Sequence, residues 1–168
     1  MKRSSLGDLL MDELADLYAA EQQIVGALPT MVEAASDPEL AAAFEKHLDE
    51  SRGHIERLER GFQLLGQKPK REKCEAMRGL LAKGEELMET DADPVVLDAA
   101  LIAAAQKVEH YEIAAYCSLR TWAGILGHTK LVALLDDTLD EEKAADEKLT
   151  EVVWAITVDA VDERSGNR

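Results

Sequence analysis

The sequence predicts an all-α fold: four long antiparallel helices in a bundle, with a shorter helix inside the connection between the second and third. Three observations predict it. Apolar residues recur at spacings of three and four along four separate stretches, the period of a helix face. The 168 residues are 46% hydrophobic but only 4% aromatic, with four Pro and ten Gly, a composition of helix formers with little strand material. Caps and first-turn prolines mark helix starts, at Ser36-Asp37-Pro38-Glu39 and again at Asp93-Pro94. The length suits one domain with a real core, expected over residues 1–158, followed by a polar tail, 159–168, that frays.

Taken in order, Leu10, Leu14, Leu17, Ile24, Leu28 and Met31 lie on one face of a first helix from Ser5 to about Ala35, with Pro29 a candidate kink near its end. Ser36 is the expected N-cap of the second, which runs through Phe44, Leu48, Ile55, Leu58, Phe62 and Leu65 to Gly66. Residues 67–94 are more charged and carry a modest stripe at Met77, Leu80, Leu81, Leu87 and Met88, which reads as a short helix within a long link. The third long helix starts at Asp93-Pro94, follows Leu97, Leu101, Ala105, Val108, Ala115 and Leu119, and ends at Gly124 or Gly127; the fourth starts at Thr129 and follows Leu131, Leu135, Leu139, Leu149 and Val153. Short links make two helical hairpins, and the long connection returns along the bundle between them, which is the ferritin-like arrangement.

A formal charge of -15 repels nucleic acid and anionic membrane surfaces, and serves mostly to solvate the surface. Cys74 and Cys117 form no metal-knuckle or disulfide pattern, which fits a reducing compartment. No signal peptide and no run of 18 apolar residues is present, so a cytoplasmic protein is expected.

Some carboxylates occupy positions where leucines belong. Glu21 has Leu10, Leu14 and Leu17 before it at offsets of 11, 7 and 4, and Ile24 and Leu28 after it at 3 and 7; Glu112 repeats those five offsets with Leu101, Ala105, Val108, Ala115 and Leu119. Glu142 lies in the stripe of Leu131, Leu135, Leu139 and Leu149, with Asp146 one turn on. Glu109 adds an acid one turn before Glu112, and His47, Glu50 and His54 share a face bordering the second stripe. Buried ionised carboxylates without counter-charge cost several kcal/mol each, and no inward Lys or Arg is evident. Two divalent cations about 3.5–4 Å apart would supply the charge, bridged by glutamates of the first and third helices. Oxygen donors with an imidazole suit iron or manganese. Blander readings stand beside this one: Glu50 and His54 as a partly exposed i, i+4 pair, His47 as structural or supporting, His110 and His128 facing solvent, Tyr18 and Tyr116 as core residues rather than groups that hydrogen-bond ligands or carry a radical, and Trp122 and Trp154 as core or interface.

Tyr18-x-x-Glu21, His47-Leu48-Asp49-Glu50, the run from Asp98 through Val108-Glu109-His110-Tyr111-Glu112-Ile113, and Thr138 through Glu142 to Asp146 resemble the YciF-like family of ferritin-like, rubrerythrin-type proteins over about residues 5–155. The resemblance implies a bacterial diiron-type bundle that dimerises, is associated with stress responses, and holds metal through Glu21, Glu50, Glu109, Glu112 and Glu142. The usual ferritin-like histidine three residues after the second- and fourth-helix glutamates is absent here, where residues 53 and 145 are Gly and Ala; His54 and Asp146, four residues on, are the candidate replacements. Two functions follow as expectations. One is a dinuclear iron or manganese centre that reduces peroxide or dioxygen. The other is a dimeric structural or interaction bundle whose metal only stabilises the fold. Iron storage in a large cage is the weaker third.

Overall fold

The computed structural model describes residues 4–69 and 73–165, with side chains through residue 158. Five helices follow in order: α1 Leu6–Ala34, α2 Pro38–Leu64, α3 Glu75–Met88, α4 Pro94–Ile125 and α5 Thr129–Ser165. The four long ones form the bundle, with α1 against α2, α4 against α5, and the two hairpins meeting through α2–α5 and α1–α4. The short α3 lies in the connection and packs on α1 and α4. No helix among the described residues is long and apolar enough to cross a membrane.

Local chemistry sets the boundaries. Ser5 caps α1 by accepting from the Asp8 N–H, and Pro29 is accommodated without ending the helix. The cap of α2 is Asp37 rather than Ser36: its side chain accepts from the N–H groups of Glu39 and Leu40, and Pro38 opens the first turn. Ser36 is displaced from capping because its own N–H, with that of Asp37, donates to the buried Asp98 carboxylate at 2.8 Å each, tying the first hairpin's turn to α4. Asp93 caps α4. The chain reverses after α2 and after α4 with Gly66 at φ 67° and Gly127 at φ 78°, a left-handed conformation that only glycine adopts without strain.

The polar stretch from 159 continues α5 as helix to Ser165, because nothing in it breaks a helix; residues 166–168 of the expected tail lie outside the described residues. The core is built from Leu and Ala, with Phe44, Phe62 and Tyr116 the bulkiest buried side chains. On α2 the stripe that faces this core is Leu40, Phe44, His47, Ser51, His54, Leu58 and Phe62. Leu48 and Ile55 flank it and are only partly buried.

Candidate metal centre

Each long helix carries polar residues in its buried stripe at one level of the bundle. Glu21 on α1, His47 and His54 on α2, Glu109 and Glu112 on α4, and Glu142 on α5 are all at most 6% exposed. The apolar residues of each stripe fix the helix's rotation and so turn these polar residues inward; on α2 they are Leu40, Phe44, Leu58 and Phe62, at the two ends of the run His47, Ser51, His54.

These side chains form two adjoining groups that share one carboxylate. Glu21, His54 and Glu142 make the first; His47, Glu109, Glu112 and Glu142 make the second, and within each group the ligand atoms all lie within 4.8 Å of one another. His54 Nδ1 is 3.2 Å from Glu21 Oε1 and 3.1 Å from Glu142 Oε1. His47 Nε2 is 3.3 Å from Glu109 Oε1. These approaches are close, yet the ring N–H directions miss the oxygens, and no hydrogen bond forms. Among the described residues, ten buried side-chain nitrogen and oxygen atoms lack a hydrogen-bond partner; nine belong to these six residues, and the tenth is Ser51 Oγ in the same stripe. Buried lone pairs gathered from four helices without protein partners cost free energy, and a bound cation offsets that cost.

The electrostatics agree. Burial pushes the carboxyls of Glu109 and Glu112 well above the usual range, with the Glu142 charge adding to it in both. Burial also raises Glu21, against the pull of His54. Glu142 goes the other way: burial opposes ionisation, but His54 and His47 hold it below the usual value. For His54 burial disfavours the charged ring, and the carboxylates of Glu142 and Glu21 overcome that and lift it to about 10.

Surrounding residues orient these groups. Tyr116, fully buried, donates its hydroxyl to Glu21 Oε1. His54 Nε2 is 2.9 Å from Glu141 Oε2, and Arg57 clamps Glu141 with two hydrogen bonds of 2.7 Å. So Glu142 is the interior residue of that pair, and Glu141 reaches it through His54. Tyr18 instead donates to Glu59 at 2.8 Å and packs edge-on against Phe62.

Of the residues singled out from sequence, Glu21, His54, Glu109, Glu112 and Glu142 converge; Glu50 and Asp146 join neither group. Glu50 is 20% exposed in its side chain and pairs with Lys46, because it lies about 100° round α2 from the stripe position Ser51. Asp146 turns toward α4, accepting from Gln106 Nε2 at 3.2 Å with His110 Nδ1 at 3.4 Å. The shared carboxylate is Glu142 of α5, not a glutamate of α1 or α4 as the repeat suggested. His47, expected in a supporting role, joins the second group of donors. The signal that finds it is heptad spacing: His47 and His54 are seven apart, with Leu40, Phe44, Leu58 and Phe62 on the same stripe.

The donor set fits a pair of hard or borderline divalent ions. Six residues supply carboxylate oxygens and imidazole nitrogens, the ligand types of iron and manganese. The four carboxylates of Glu21, Glu109, Glu112 and Glu142 balance the charge of two dications.

Comparison with known proteins places this geometry. Residues 5–162 match the family described as a domain of unknown function, DUF892. The chain is 46% identical to Protein YciF of Escherichia coli over 153 residues, covering 90% of this chain and 92% of that one. The crystal structure of the E. coli stress protein YciF superposes with a TM-score of 0.89 at 44% identity, over 92% of this chain and 98% of the other. YcfI of Rhodopseudomonas palustris superposes at 0.85 with 47% identity, over 89% and 97%. Ferritin-like, diiron-carboxylate proteins of Bacillus anthracis superpose at 0.69 over 91% and 99%; at 18% identity that likeness carries the fold alone, and the fold is ferritin-like.

Proposed function

The chain belongs to the DUF892 family, and from its buried donor set we propose that it is a ferritin-like metalloprotein holding two iron ions, or two manganese ions, that reduces peroxide or dioxygen in a stress response. One observation carries the reading: six buried residues hold nine polar atoms without a hydrogen-bond partner, and one donor atom from each lies within 4.8 Å of the others in its group. A bundle that used these residues only structurally would pair them.

Glu21, His54 and Glu142 would hold one ion and His47, Glu109, Glu112 and Glu142 the other. When bound, such a pair supplies two electrons at adjacent ions, which suits two-electron reduction of peroxide to water with uptake of two protons. The chain's own part is to place donors and move protons. Tyr116 holds its proton on Glu21 Oε1. The contact from His54 Nε2 to Glu141, which is about one-third exposed, links the centre to solvent. Reducing equivalents are supplied by a separate donor.

We also assign the chain as a cytoplasmic homodimer. What supports the dimer is the exposure of large apolar side chains on the outer helices, Val96 of α4 at 52% and Trp154 of α5 at 73%. A second reading, a structural bundle whose metal only stabilises it, draws on the Arg57–Glu141 clamp that covers the His54 side of the centre.

The test is anaerobic loading with two equivalents of ferrous ion, followed by peroxide. One peroxide consumed per two irons supports the oxidoreductase. Iron bound with a higher Tm but no peroxide consumption selects the structural reading. A protein that binds neither iron nor manganese overturns both.

A further inference from the structure

A buried centre needs a way in, and three approaches to this one differ in how far they reach toward its donors. On the His54 side, a surface hollow of about 520 Å³ is bounded by Lys46, Asp49, Glu50, Gly53, Arg57 and Glu141, and the bidentate Arg57–Glu141 pair stands between it and His54. No residue of either donor group lines this hollow, so it ends short of the centre. On the α1–α3–α4 side, a crevice of about 100 Å³ under α3 narrows to about 20 Å³ of apolar space beside His47 and Glu109. That constriction admits a single water at most by volume, since one water needs at least ~10–15 Å³.

The third approach is a cleft of about 520 Å³ between α2 and α5. Its walls are built largely of alanines, Ala42 and Ala43 facing Ala144 and Ala145, and its floor is His47 and Glu109. Both floor residues are more than nine-tenths buried and present atoms with no hydrogen-bond partner. A dication with six waters occupies roughly 180 Å³ at about 30 Å³ per water, so it fits here and not through the constriction under α3. The rim carries Glu39, Glu50, Glu147 and Glu151 against Lys46 and Lys148. Each lysine is already tied to a rim glutamate, Lys46 to Glu50 and Lys148 to Glu39, with Lys148 also 3.9 Å from Glu151. The balance is acidic, and it faces a floor of unpaired donors.

We propose that the α2–α5 cleft is the route by which hydrated divalent cations reach the centre, with Glu50 as the transit carboxylate that receives the ion at the mouth before His47 and Glu109 take it up at the floor. This rests on the two-ion reading of the centre and gives Glu50 a place outside the ligand set. The Lys46–Glu50 contact is an exposed i, i+4 pair, weak enough for an incoming dication to displace the ammonium.

The experiment is stopped-flow uptake of manganese or ferrous ion by the metal-free protein, with bound metal counted at the end by elemental analysis. Ala43→Trp, which fills the cleft, slows uptake at least tenfold while the final content stays at two ions per chain. Glu50→Gln, at a partly exposed position that leaves the core intact, slows it two- to fivefold, and the difference shrinks at high ionic strength as screening removes the attraction. Parental rates in both variants overturn the proposal while leaving the centre standing. If Ala43→Trp fails to fold, a parental rate in Glu50→Gln alone overturns it, and so does a Glu50→Gln protein that ends with one ion rather than two, because Glu50 is then a ligand. A parent protein that takes up no metal overturns the two-ion centre and this route with it.

Discussion

Replacing Glu112 with leucine separates the metal's contribution from the fold's. The residue is fully buried, neither carboxylate oxygen has a hydrogen-bond partner, and after burial itself the groups that raise its pKa are the acids Glu142, Glu21 and Glu109. In metal-free protein it therefore opposes folding, through desolvation and through like charge. Exchanging buried charged groups for apolar ones of similar volume gains about 1–4 kcal/mol in other cores. With two unpartnered oxygens removed, about 3 kcal/mol is expected, which is a rise in Tm of about 6–12 °C for a domain of this size. Thermal unfolding followed by circular dichroism, with EDTA and then with excess manganese, measures both sides. Glu112→Leu melts higher than the parent in EDTA and loses the parent's gain on adding metal. A variant that melts lower in EDTA, or that keeps its metal response, refutes the premise that these acids are tolerated only for the ions they bind.

Three further outcomes follow. Metal-free protein loses stability as pH rises from 6 to 9: His54, raised to about 10, contributes stability that is complete below its unfolded value of about 6.5 and is lost through the folded one. The raised Glu109 and Glu112 act in the same direction above the ordinary glutamate value. Melts in EDTA should show that fall, and His54→Gln should flatten it; a steeper or unchanged slope in the variant speaks against the assignment. Tyr116→Phe removes the hydroxyl that orients Glu21 and lowers manganese affinity about 10- to 100-fold by calorimetry, with secondary structure intact. Asp98→Ala leaves the N–H groups of Ser36 and Asp37 without their acceptor and costs about 3–5 kcal/mol in urea unfolding; a loss below about 1 kcal/mol removes its role as the clamp of the first hairpin.

Much of this was legible in the sequence because helical periodicity speaks directly about burial. Glu21, Glu112 and Glu142 interrupt runs of leucine and alanine at helix spacing, and each is fully buried. The long connection with its short helix was legible for the same reason, from stripe breaks and caps. Phase errors explain most of the rest. Reading Leu48 and Ile55 into the α2 stripe rotates that helix by about 100°, which moves His47 to the margin and brings Glu50 inward. The true stripe, Phe44, His47, Ser51, His54 and Leu58, is polar at three of five positions, so hydrophobicity alone cannot place it. Asp146 misleads for a different reason. It sits one turn after Glu142 but is only half-buried, and its partners are Gln106 and His110 on α4. Asp37 displaced Ser36 as a cap because a tertiary partner, Asp98, claims the serine's backbone; no local pattern encodes that contact.

The most direct test of the two-ion centre is anomalous diffraction from crystals of the manganese- or iron-loaded protein. The expected result is two peaks per chain, about 3.5–4 Å apart, with the Glu142 carboxylate between them and His47 and His54 at opposite ends. A single peak, or peaks confined to surface acids such as Glu50 and Asp146 with the interior donors unengaged, contradicts it.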